Sequence, residues 1–324
     1  MNPLSPATIT GTWGTLLLPL NADDTIDLVR LAAEVAAFAE AGVDGVYSNG
    51  TAGEFHTQTE EEFDQVSALL AGECERHGLP FQIGVSHMSA QISLARLKRV
   101  VALRPSAVQV ILPDWAAPTL EEAIAFLSRM GEAAAPAGLV VYNPPHAKRV
   151  LKPADWRVIA ERVPAVVGMK VAGGDATWYE EMAPVLGRLS VFVAGHTLAT
   201  GFARGAAGSY SNVACLSPGG AQRWFALMKS DPALAAEWER RIQGFFHRHI
   251  IPFITTQGYS NTAVDKLLAA IGGWAQIGTR VRWPYRWIPE SDAERLRPVA
   301  WAELPELMGS KPGSGEAGRA GNAP

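Results

Sequence analysis

The chain has 324 residues, of which 48% are hydrophobic and 19% are charged, and its formal net charge at pH 7 is −4. This composition excludes an intrinsically disordered chain, and the weak negative charge gives no electrostatic reason to bind nucleic acid or an anionic membrane. We therefore expect a globular protein whose partners are small molecules.

The location in the cell is predicted from targeting patterns and cysteine usage. The first ten residues lack the basic region and apolar core of a signal peptide, and no apolar run approaches the roughly 18 residues of a transmembrane helix. Cys74 and Cys215 lie far apart and outside any CxxC spacing, which is typical of reduced cytosolic cysteines. We predict a cytoplasmic protein with a disordered tail, 309–324, because that segment is rich in Gly, Ala, Pro and Ser.

Short apolar runs alternate with amphipathic segments of helical length from the N-terminus onward. The runs predict eight strands: Gly14–Leu18, Gly45–Ser48, Phe81–Val85, Ala107–Ile111, Leu139–Tyr142, Val166–Lys170, Val191–Ala194 and Gly208–Ser211. The segments between them predict seven helices: Thr25–Ala41, Thr59–His77, Ser89–Leu103, Thr119–Ala134, Pro153–Arg162, Thr177–Leu186 and Leu198–Arg204. Thr59 and Thr119 each stand three residues before a glutamate, which is the pattern of a capping box.

Eight strand–helix units with apolar strands predict a parallel sheet covered on both faces. No GxGxxG motif follows the first strand, which disfavours an open dinucleotide-binding sheet. We predict an α/β protein, a (β/α)₈ TIM barrel over residues 8–217, with its last helix and a C-terminal helical extension over residues 218–308. The extension is predicted to contain helices at Gly219–Ser230, Pro232–Ile251, Asn261–Ile271 and Ser291–Arg297.

Lys170 is the most informative single residue because it ends the apolar strand Val166–Lys170. In a TIM barrel, reactive side chains lie at the carboxyl ends of the strands. One interpretation is a lysine that extends its amine into solvent. The other is a desolvated amine, whose lowered pKa makes it a nucleophile toward carbonyl groups. Condensation with a 2-oxo acid would then give an imine that withdraws electrons from a neighbouring C–C bond.

Two further strand ends offer groups that such chemistry needs. Tyr142 ends the strand before that of Lys170 and is a candidate proton shuttle, or alternatively an aromatic residue at the barrel rim. The turn after the second strand, Gly50–Gly53, offers backbone N–H groups and the Thr51 hydroxyl to an anion. It could also be only a tight turn. Glu54, which follows, is predicted to anchor its own loop.

These residues carry a resemblance to a known family. Three motifs resemble the dihydrodipicolinate synthase/N-acetylneuraminate lyase family, in order Gly50-Thr51-Ala52-Gly53-Glu54, Tyr142-Asn143-x-Pro145 and Gly168-Met169-Lys170. The 28-residue step from Tyr142 to Lys170 matches the spacing in that family, and the resemblance covers residues 8–308. It implies a class I aldolase, or a related lyase or dehydratase, that needs no cofactor and is usually a homotetramer built from two dimers.

The resemblance also implies a role for each matching residue. Lys170 would form the Schiff base, Tyr142 would shuttle protons, and Thr51 would relay protons to Tyr142. The turn residues Thr51, Ala52 and Gly53 would bind the carboxylate of the 2-oxo acid.

The chain departs from the synthases of this family at three positions. Ala52 stands where a second hydroxyl residue is common, and Trp115 stands where the synthases place a tyrosine that they donate to a neighbouring subunit. Ala147 replaces the arginine that binds the carboxylate of the aldehyde substrate. We therefore predict that the protein is not a true dihydrodipicolinate synthase.

Other strand ends and loops supply candidate substrate-binding residues, namely Trp115, His146, His196 and Asn212. The two histidines could equally be structural loop residues. The seven histidines of the chain show no HExxH or similar spacing, so we predict no metal site.

Three functions are compatible with the sequence. The first is a Schiff-base lyase or aldolase that acts on pyruvate or a related 2-oxo acid together with an aldehyde. The second, from the same family, is a dehydratase of a 2-oxo sugar acid, and the third is a non-catalytic barrel that binds a small acid. Both enzymatic hypotheses require Lys170, and they differ in the bond that is broken.

Overall fold

The computed structural model describes residues 1–309, so the predicted disordered tail lies outside the described residues except for Gly309. Eight parallel strands form a closed barrel in chain order, which confirms the predicted TIM barrel. The strands are β1 Gly11–Thr15, β2 Gly45–Ser48, β3 Phe81–Gly84, β4 Ala107–Val110, β5 Gly138–Tyr142, β6 Val166–Lys170, β7 Ser190–Phe192 and β8 Gly208–Tyr210.

Helices surround the barrel and continue into a C-terminal helical extension. Those that follow the first seven strands are α1 Leu28–Glu40, α2 Glu60–His77, α3 Ala90–Val100, α4 Leu120–Ala134, α5 Pro153–Arg162, α6 Ala176–Met182 and α7 Leu198–Ala203. After β8 come α8 Asn212–Leu216, α9 Pro218–Ser230, α10 Pro232–Phe245, α11 Ile251–Thr255, α12 Asn261–Gly272, α13 Glu290–Glu303 and α14 Pro305–Met308. Among the helices of residues 1–309, none combines the length and hydrophobicity that a transmembrane helix requires.

Both predicted capping boxes are present. The Thr59 hydroxyl accepts a hydrogen bond from the Glu62 amide at 3.2 Å, and the Glu62 carboxylate accepts one from the Thr59 amide at 2.9 Å. Thr119 and Glu122 make the same reciprocal pair at the start of α4. These bonds satisfy amide groups that a helix N-terminus otherwise leaves free, and they fix where α2 and α4 begin.

The first strand differs from the prediction. We predicted Gly14–Leu18, whereas β1 spans Gly11–Thr15. The leucines that follow β1 are buried, and the Leu16 amide still donates to the Tyr47 carbonyl of β2 at 2.9 Å. The chain leaves the sheet at Leu17, whose amide donates to the Glu34 carboxylate of α1 at 2.8 Å. The apolar run correctly indicated which residues are buried, but it did not indicate where the strand begins and ends.

A β-bulge shifts the phase of β6. Its pairing with β5 passes from Leu139↔Val166 directly to Val140↔Gly168, so Val167 is an extra residue. Beyond the bulge, Tyr142 pairs with Lys170. Paired residues point to the same face of a sheet, and both of these side chains line the interior of the barrel mouth. Gly138 leaves room for the bulge, since a Cβ at that position would lie 2.4 Å from Val167 Cγ1.

The barrel interior is filled below the mouth. A separate cluster of buried residues, including Trp13, Tyr47, Phe192 and Tyr210, occupies it, while the larger core lies between the sheet and the helices. The interior of the barrel is thus packed, and the cavity that could hold a ligand lies toward its carboxyl end.

Candidate active site

A cavity of about 450 Å³ opens at the carboxyl ends of the strands. This volume is typical of a site for a small molecule. Residues from the strand ends form its floor, and α11, α12 and the segment between α10 and α11 form its outer wall. The lining includes Thr15, Tyr47, Thr51, Ala52, Tyr142, Lys170, His196, Tyr210, Asn212, Cys215, Phe246, Ile250, Ile251, Ile254, Asn261, Val264, Asp265 and Leu268.

The Lys170 amine lies at the floor of this cavity among aromatic rings. Its Nζ donates a hydrogen bond to the Tyr47 hydroxyl at 2.8 Å and lies 4.3 Å from the centre of the Tyr142 ring. Burial lowers the pKa of Lys170 to about 8, against an opposing effect of the Asp265 carboxylate. Near neutral pH roughly a tenth of such an amine is uncharged and therefore nucleophilic. The desolvated interpretation of Lys170 is the one that this geometry favours.

Tyr142 stands next to Lys170 on the paired strand β5. Burial raises the pKa of its hydroxyl, and the nearby Thr51 hydroxyl opposes that rise. Tyr142 is consequently a neutral phenol at neutral pH, able to donate a proton and to take it back from Lys170 or a substrate atom.

The Gly50–Gly53 turn is held open toward the cavity. The Thr262 hydroxyl of α12 donates to the Thr51 carbonyl at 2.9 Å, which fixes the turn from outside. Within residues 1–309 the amides of Thr51 and Ala52 donate to no protein acceptor, so they are available to a bound carboxylate. Gly53 does not line the cavity, because it packs against the Leu16 carbonyl, 3.0 Å from where its Cβ would be.

His196 and Asn212 form a connected pair at the side of the cavity. The His196 amide donates to Asn212 Oδ1 at 3.1 Å, which turns the Asn212 amide nitrogen toward His196 Nδ1 at 2.9 Å. Since that nitrogen can only donate, Nδ1 accepts and the ring proton lies on Nε2. Burial lowers the pKa of His196, so the ring is a neutral hydrogen-bond donor.

Two predicted substrate-binding residues do not line the cavity. Trp115 is 77% exposed, and the Lys148 amine lies over its ring and donates to its backbone carbonyl at 2.7 Å. His146 is also exposed. Arg149, which follows Lys148 in the loop, pairs with Asp155 at 3.5 Å. None of these cationic side chains therefore takes the place of the arginine that Ala147 lacks.

Sequence reasoning missed two residues that stand beside Lys170. Tyr47 is an inward-facing residue of β2, and its hydroxyl also accepts a hydrogen bond from Thr15 at 2.9 Å. Asp265 lies on α12, where Asn261, Val264 and Leu268 share its face toward the cavity. The signal for Asp265 was an acidic residue at helical spacing within an apolar stretch, but its neighbour in the barrel could not be read from that spacing.

Glu54 anchors its loop through one buried cation and one backbone amide. Its carboxylate lies 2.5 Å from the Lys266 amine and accepts a hydrogen bond from the Arg282 amide at 3.0 Å. Lys266 and Glu54 are both fully buried. Lys266 thus fixes α12 against the end of the Gly50–Gly53 turn.

Replacing Lys266 with methionine is expected to lower the free energy of unfolding by about 3–5 kcal/mol, because it leaves the Glu54 carboxylate buried without its cation. Urea denaturation followed by circular dichroism measures this loss. Arg162→Met is the matched control, because its ion pair with Glu121 is exposed and contributes at most about 1 kcal/mol. Equal losses in the two variants would show that the buried pair has no special role.

Comparison with known proteins agrees with this geometry. A model of the dihydrodipicolinate synthetase family matches residues 8–296. The chain belongs to this family. A trans-O-hydroxybenzylidenepyruvate hydratase-aldolase of Sphingobium xenophagum is 25% identical over 332 residues, which cover 95% of this chain and 98% of that protein. A 4-hydroxy-tetrahydrodipicolinate synthase of Stenotrophomonas maltophilia is 27% identical over 243 residues, covering 73% and 80% respectively.

Solved structures of the dihydrodipicolinate synthetase family share the fold. YagE, a prophage protein of E. coli K12 solved in complex with pyruvate, superimposes with a TM-score of 0.80 at 19% identity, covering 91% of this chain and 98% of its own. The predicted family is confirmed, and the chain is a lyase of the class I aldolase type.

Proposed function

We propose that the protein forms a Schiff base between Lys170 and pyruvate and catalyses the cleavage or formation of a C–C bond with an aldehyde. The observation that carries this proposal is the placement of a desolvated Lys170 amine 4.3 Å from the centre of the Tyr142 ring, at the floor of the cavity. The free Thr51 and Ala52 amides on the adjacent strand end would bind the pyruvate carboxylate.

In the cleavage direction the uncharged Lys170 amine attacks the C2 carbonyl of a 4-hydroxy-2-oxo acid, and the resulting C2 hydroxyl leaves as water. Tyr142 donates the proton to the departing oxygen and regains one through Thr51. The iminium then accepts the electron pair of the breaking C3–C4 bond, while the C4 hydroxyl loses its proton and C4 departs as the carbonyl carbon of the aldehyde. Tyr142 reprotonates the resulting enamine at C3. Hydrolysis releases pyruvate and restores the amine.

The aldehyde partner is inferred from the outer wall of the cavity, which is mostly apolar apart from Thr255, Asn261 and Asp265. Its apolar side chains are Phe246, Ile250, Ile251, Ile254, Val264 and Leu268. Such a wall favours an uncharged, apolar aldehyde, of which benzaldehyde is the simplest aromatic representative. The relative from Sphingobium xenophagum is a hydratase-aldolase whose name contains an aromatic pyruvate derivative, which is in keeping with this choice.

The other two hypotheses receive less support. A dehydratase of a 2-oxo sugar acid needs polar groups for several sugar hydroxyls, and the outer wall is mostly apolar. A non-catalytic acid-binding barrel has no use for an amine with a lowered pKa beside a phenol.

Borohydride reduction in the presence of pyruvate tests the proposal. We expect one pyruvate-derived adduct per chain, mapped to Lys170 by peptide mass spectrometry, because reduction converts the imine to a stable secondary amine. Lys170→Arg keeps the positive charge and should give no adduct. Absence of an adduct on Lys170 in the wild-type protein with pyruvate and several other 2-oxo acids would rule out the mechanism.

Assembly and location are also proposed here. We propose a cytoplasmic homo-oligomer, a dimer or tetramer, in which the exposed Trp115 lies at or near a subunit contact. Its 77% exposed indole is unusual for a monomer surface, and Cys74 and Cys215 are both buried free thiols. Sedimentation velocity on wild-type protein and Trp115→Ala tests whether this residue contributes to association.

A further inference from the structure

The face of α12 that closes the cavity carries one carboxylate. Asn261, Val264, Asp265 and Leu268 all line the cavity, and their spacing of three and four residues places them on one side of the helix. Among the cavity-lining residues of the described chain, Asp265 is the one acidic side chain. The next residue, Lys266, points the other way, to Glu54 and the Arg280 carbonyl.

No interaction within the protein occupies the Asp265 carboxylate. Within residues 1–309 it makes neither a hydrogen bond nor an ion pair, unlike the carboxylates of Glu34 and Glu54 nearby in the core. The titratable groups that face it across the cavity are Lys170 of β6, Tyr142 of β5, Tyr47 of β2 and Cys215 of α8. Lys170 is the one cation among them. A carboxylate placed in this way is free to act on a ligand.

We propose that Asp265 is the general base of the C–C cleavage step. This inference rests on the proposed function. With a 4-hydroxy-2-oxo acid bound as an iminium on Lys170, the Asp265 carboxylate takes the proton of the C4 hydroxyl. The O–H electron pair forms the C4=O bond of the departing aldehyde, the C3–C4 pair forms the enamine, and the iminium nitrogen becomes neutral. In the synthetic direction the protonated Asp265 returns this proton to the aldehyde oxygen.

The chemistry divides between two residues because their surroundings differ. Burial raises the pKa of Asp265 to about 7, despite the opposing charge of Lys170. Burial also raises the pKa of the Tyr142 hydroxyl, so this pKa lies further from neutral pH than that of an exposed tyrosine. A base works best when its pKa is near the working pH, so the carboxylate is the better acceptor for the C4 proton. Tyr142 retains proton transfer at the imine carbon and at C3, next to Lys170.

Two reactions separate the roles of these residues. Exchange of the pyruvate methyl protons for deuterium, followed by NMR, reports formation of the imine and enamine without any aldehyde. Cleavage of 4-hydroxy-2-oxo-4-phenylbutanoate, the aldol product of pyruvate and benzaldehyde, adds the step assigned to Asp265. Both are measured on the full chain as a function of pH.

We expect Asp265→Asn to retain methyl exchange and borohydride trapping but to lose about 10²–10⁴-fold in cleavage rate. Because methyl exchange already contains the pH dependence of the Lys170 amine, the ratio of the cleavage rate to the exchange rate is the quantity to follow. In the wild-type protein this ratio should rise with pH as Asp265 loses its proton near pH 7, and this rise should be absent in Asp265→Asn. Asp265→Glu keeps a carboxylate and should restore the pH-dependent rise, at least in part. In contrast, Tyr142→Phe should lose the exchange reaction itself.

Two results would overturn the assignment of Asp265. Cleavage at the wild-type rate in Asp265→Asn would remove it from the step. An equal loss in exchange and cleavage would show that it acts only on Lys170. If the wild-type protein itself neither exchanges nor traps pyruvate, the proposed function fails, and this inference fails with it.

Discussion

Replacing Tyr142 with phenylalanine is expected to lower turnover by about 10²–10⁴-fold, the usual contribution of a general acid or base. The fold should persist, because the ring is kept and its contact with the Lys170 amine, 4.3 Å from the ring centre, does not depend on the hydroxyl. Without the phenol, the departing C2 oxygen and the C3 carbon of the enamine lose their proton donor. Steady-state cleavage of 4-hydroxy-2-oxo-4-phenylbutanoate measures the loss.

A neighbouring tyrosine provides the matched control. The Tyr210 ring also lies near the Lys170 amine, at 5.3 Å, but its hydroxyl donates to Gln82 Oε1 at 2.8 Å. Tyr210→Phe therefore removes a hydroxyl that is already hydrogen-bonded to Gln82. We expect it to lower the free energy of unfolding by about 1–3 kcal/mol with little change in turnover. Turnover near the wild-type value in Tyr142→Phe would exclude the phenol from the mechanism.

The second large effect concerns substrate choice: pyruvate and aspartate semialdehyde should react poorly. That aldehyde carries a carboxylate, which must leave water as the site fills. An arginine would supply two charge-assisted hydrogen bonds, each contributing about 1.5–3 kcal/mol, and Ala147 supplies neither. The resulting loss of about 3–6 kcal/mol corresponds to roughly two to four orders of magnitude in rate.

The structure strengthens this expectation. Lys148, which follows Ala147, is held on Trp115 outside the cavity. The cavity presents the Asp265 carboxylate instead, which repels a second anion. Steady-state assays should compare aspartate semialdehyde with benzaldehyde, an uncharged aldehyde, at equal pyruvate concentration. A kcat/KM for aspartate semialdehyde at or above about 10⁴ M⁻¹s⁻¹, the lower edge of typical enzymes, would contradict the prediction.

The barrel could be predicted from sequence because each unit repeats the same physical pattern. Buried parallel strands are apolar throughout, and helices show the 3.6-residue period, so β2, β6 and α5 were predicted to the residue. The short helix α8 was missed, since five residues show too little periodicity to identify a helix.

Sequence could predict the site residues only where a reactive side chain stands at or just after the end of a strand. Lys170, Tyr142 and Thr51 follow directly from the barrel rule, and the structure brings them together at one cavity. Asp265 comes from a helix almost a hundred residues after Lys170, and sequence gives no indication of which loop that helix covers. Trp115 and His146 also follow strand ends, but their loops turn the side chains outward.

The bulge at Val167 has a consequence for how this site can be moved or altered. It separates Val167, whose side chain packs in the barrel interior, from Lys170, whose side chain lines the cavity, and it leaves Met169 facing the core between the sheet and the helices. Loss of the extra residue at the bulge would leave Lys170 paired with Tyr142 and its amine directed into the cavity. In contrast, a one-residue insertion between Gly168 and Lys170 would direct the amine into the layer beneath the helices. In an unbroken strand grafted with the same five residues, strict alternation from Val166 would carry Met169 into the cavity in place of Lys170. Transfer of this five-residue strand to another barrel therefore requires the bulge at Val167 and the space that Gly138 leaves for it.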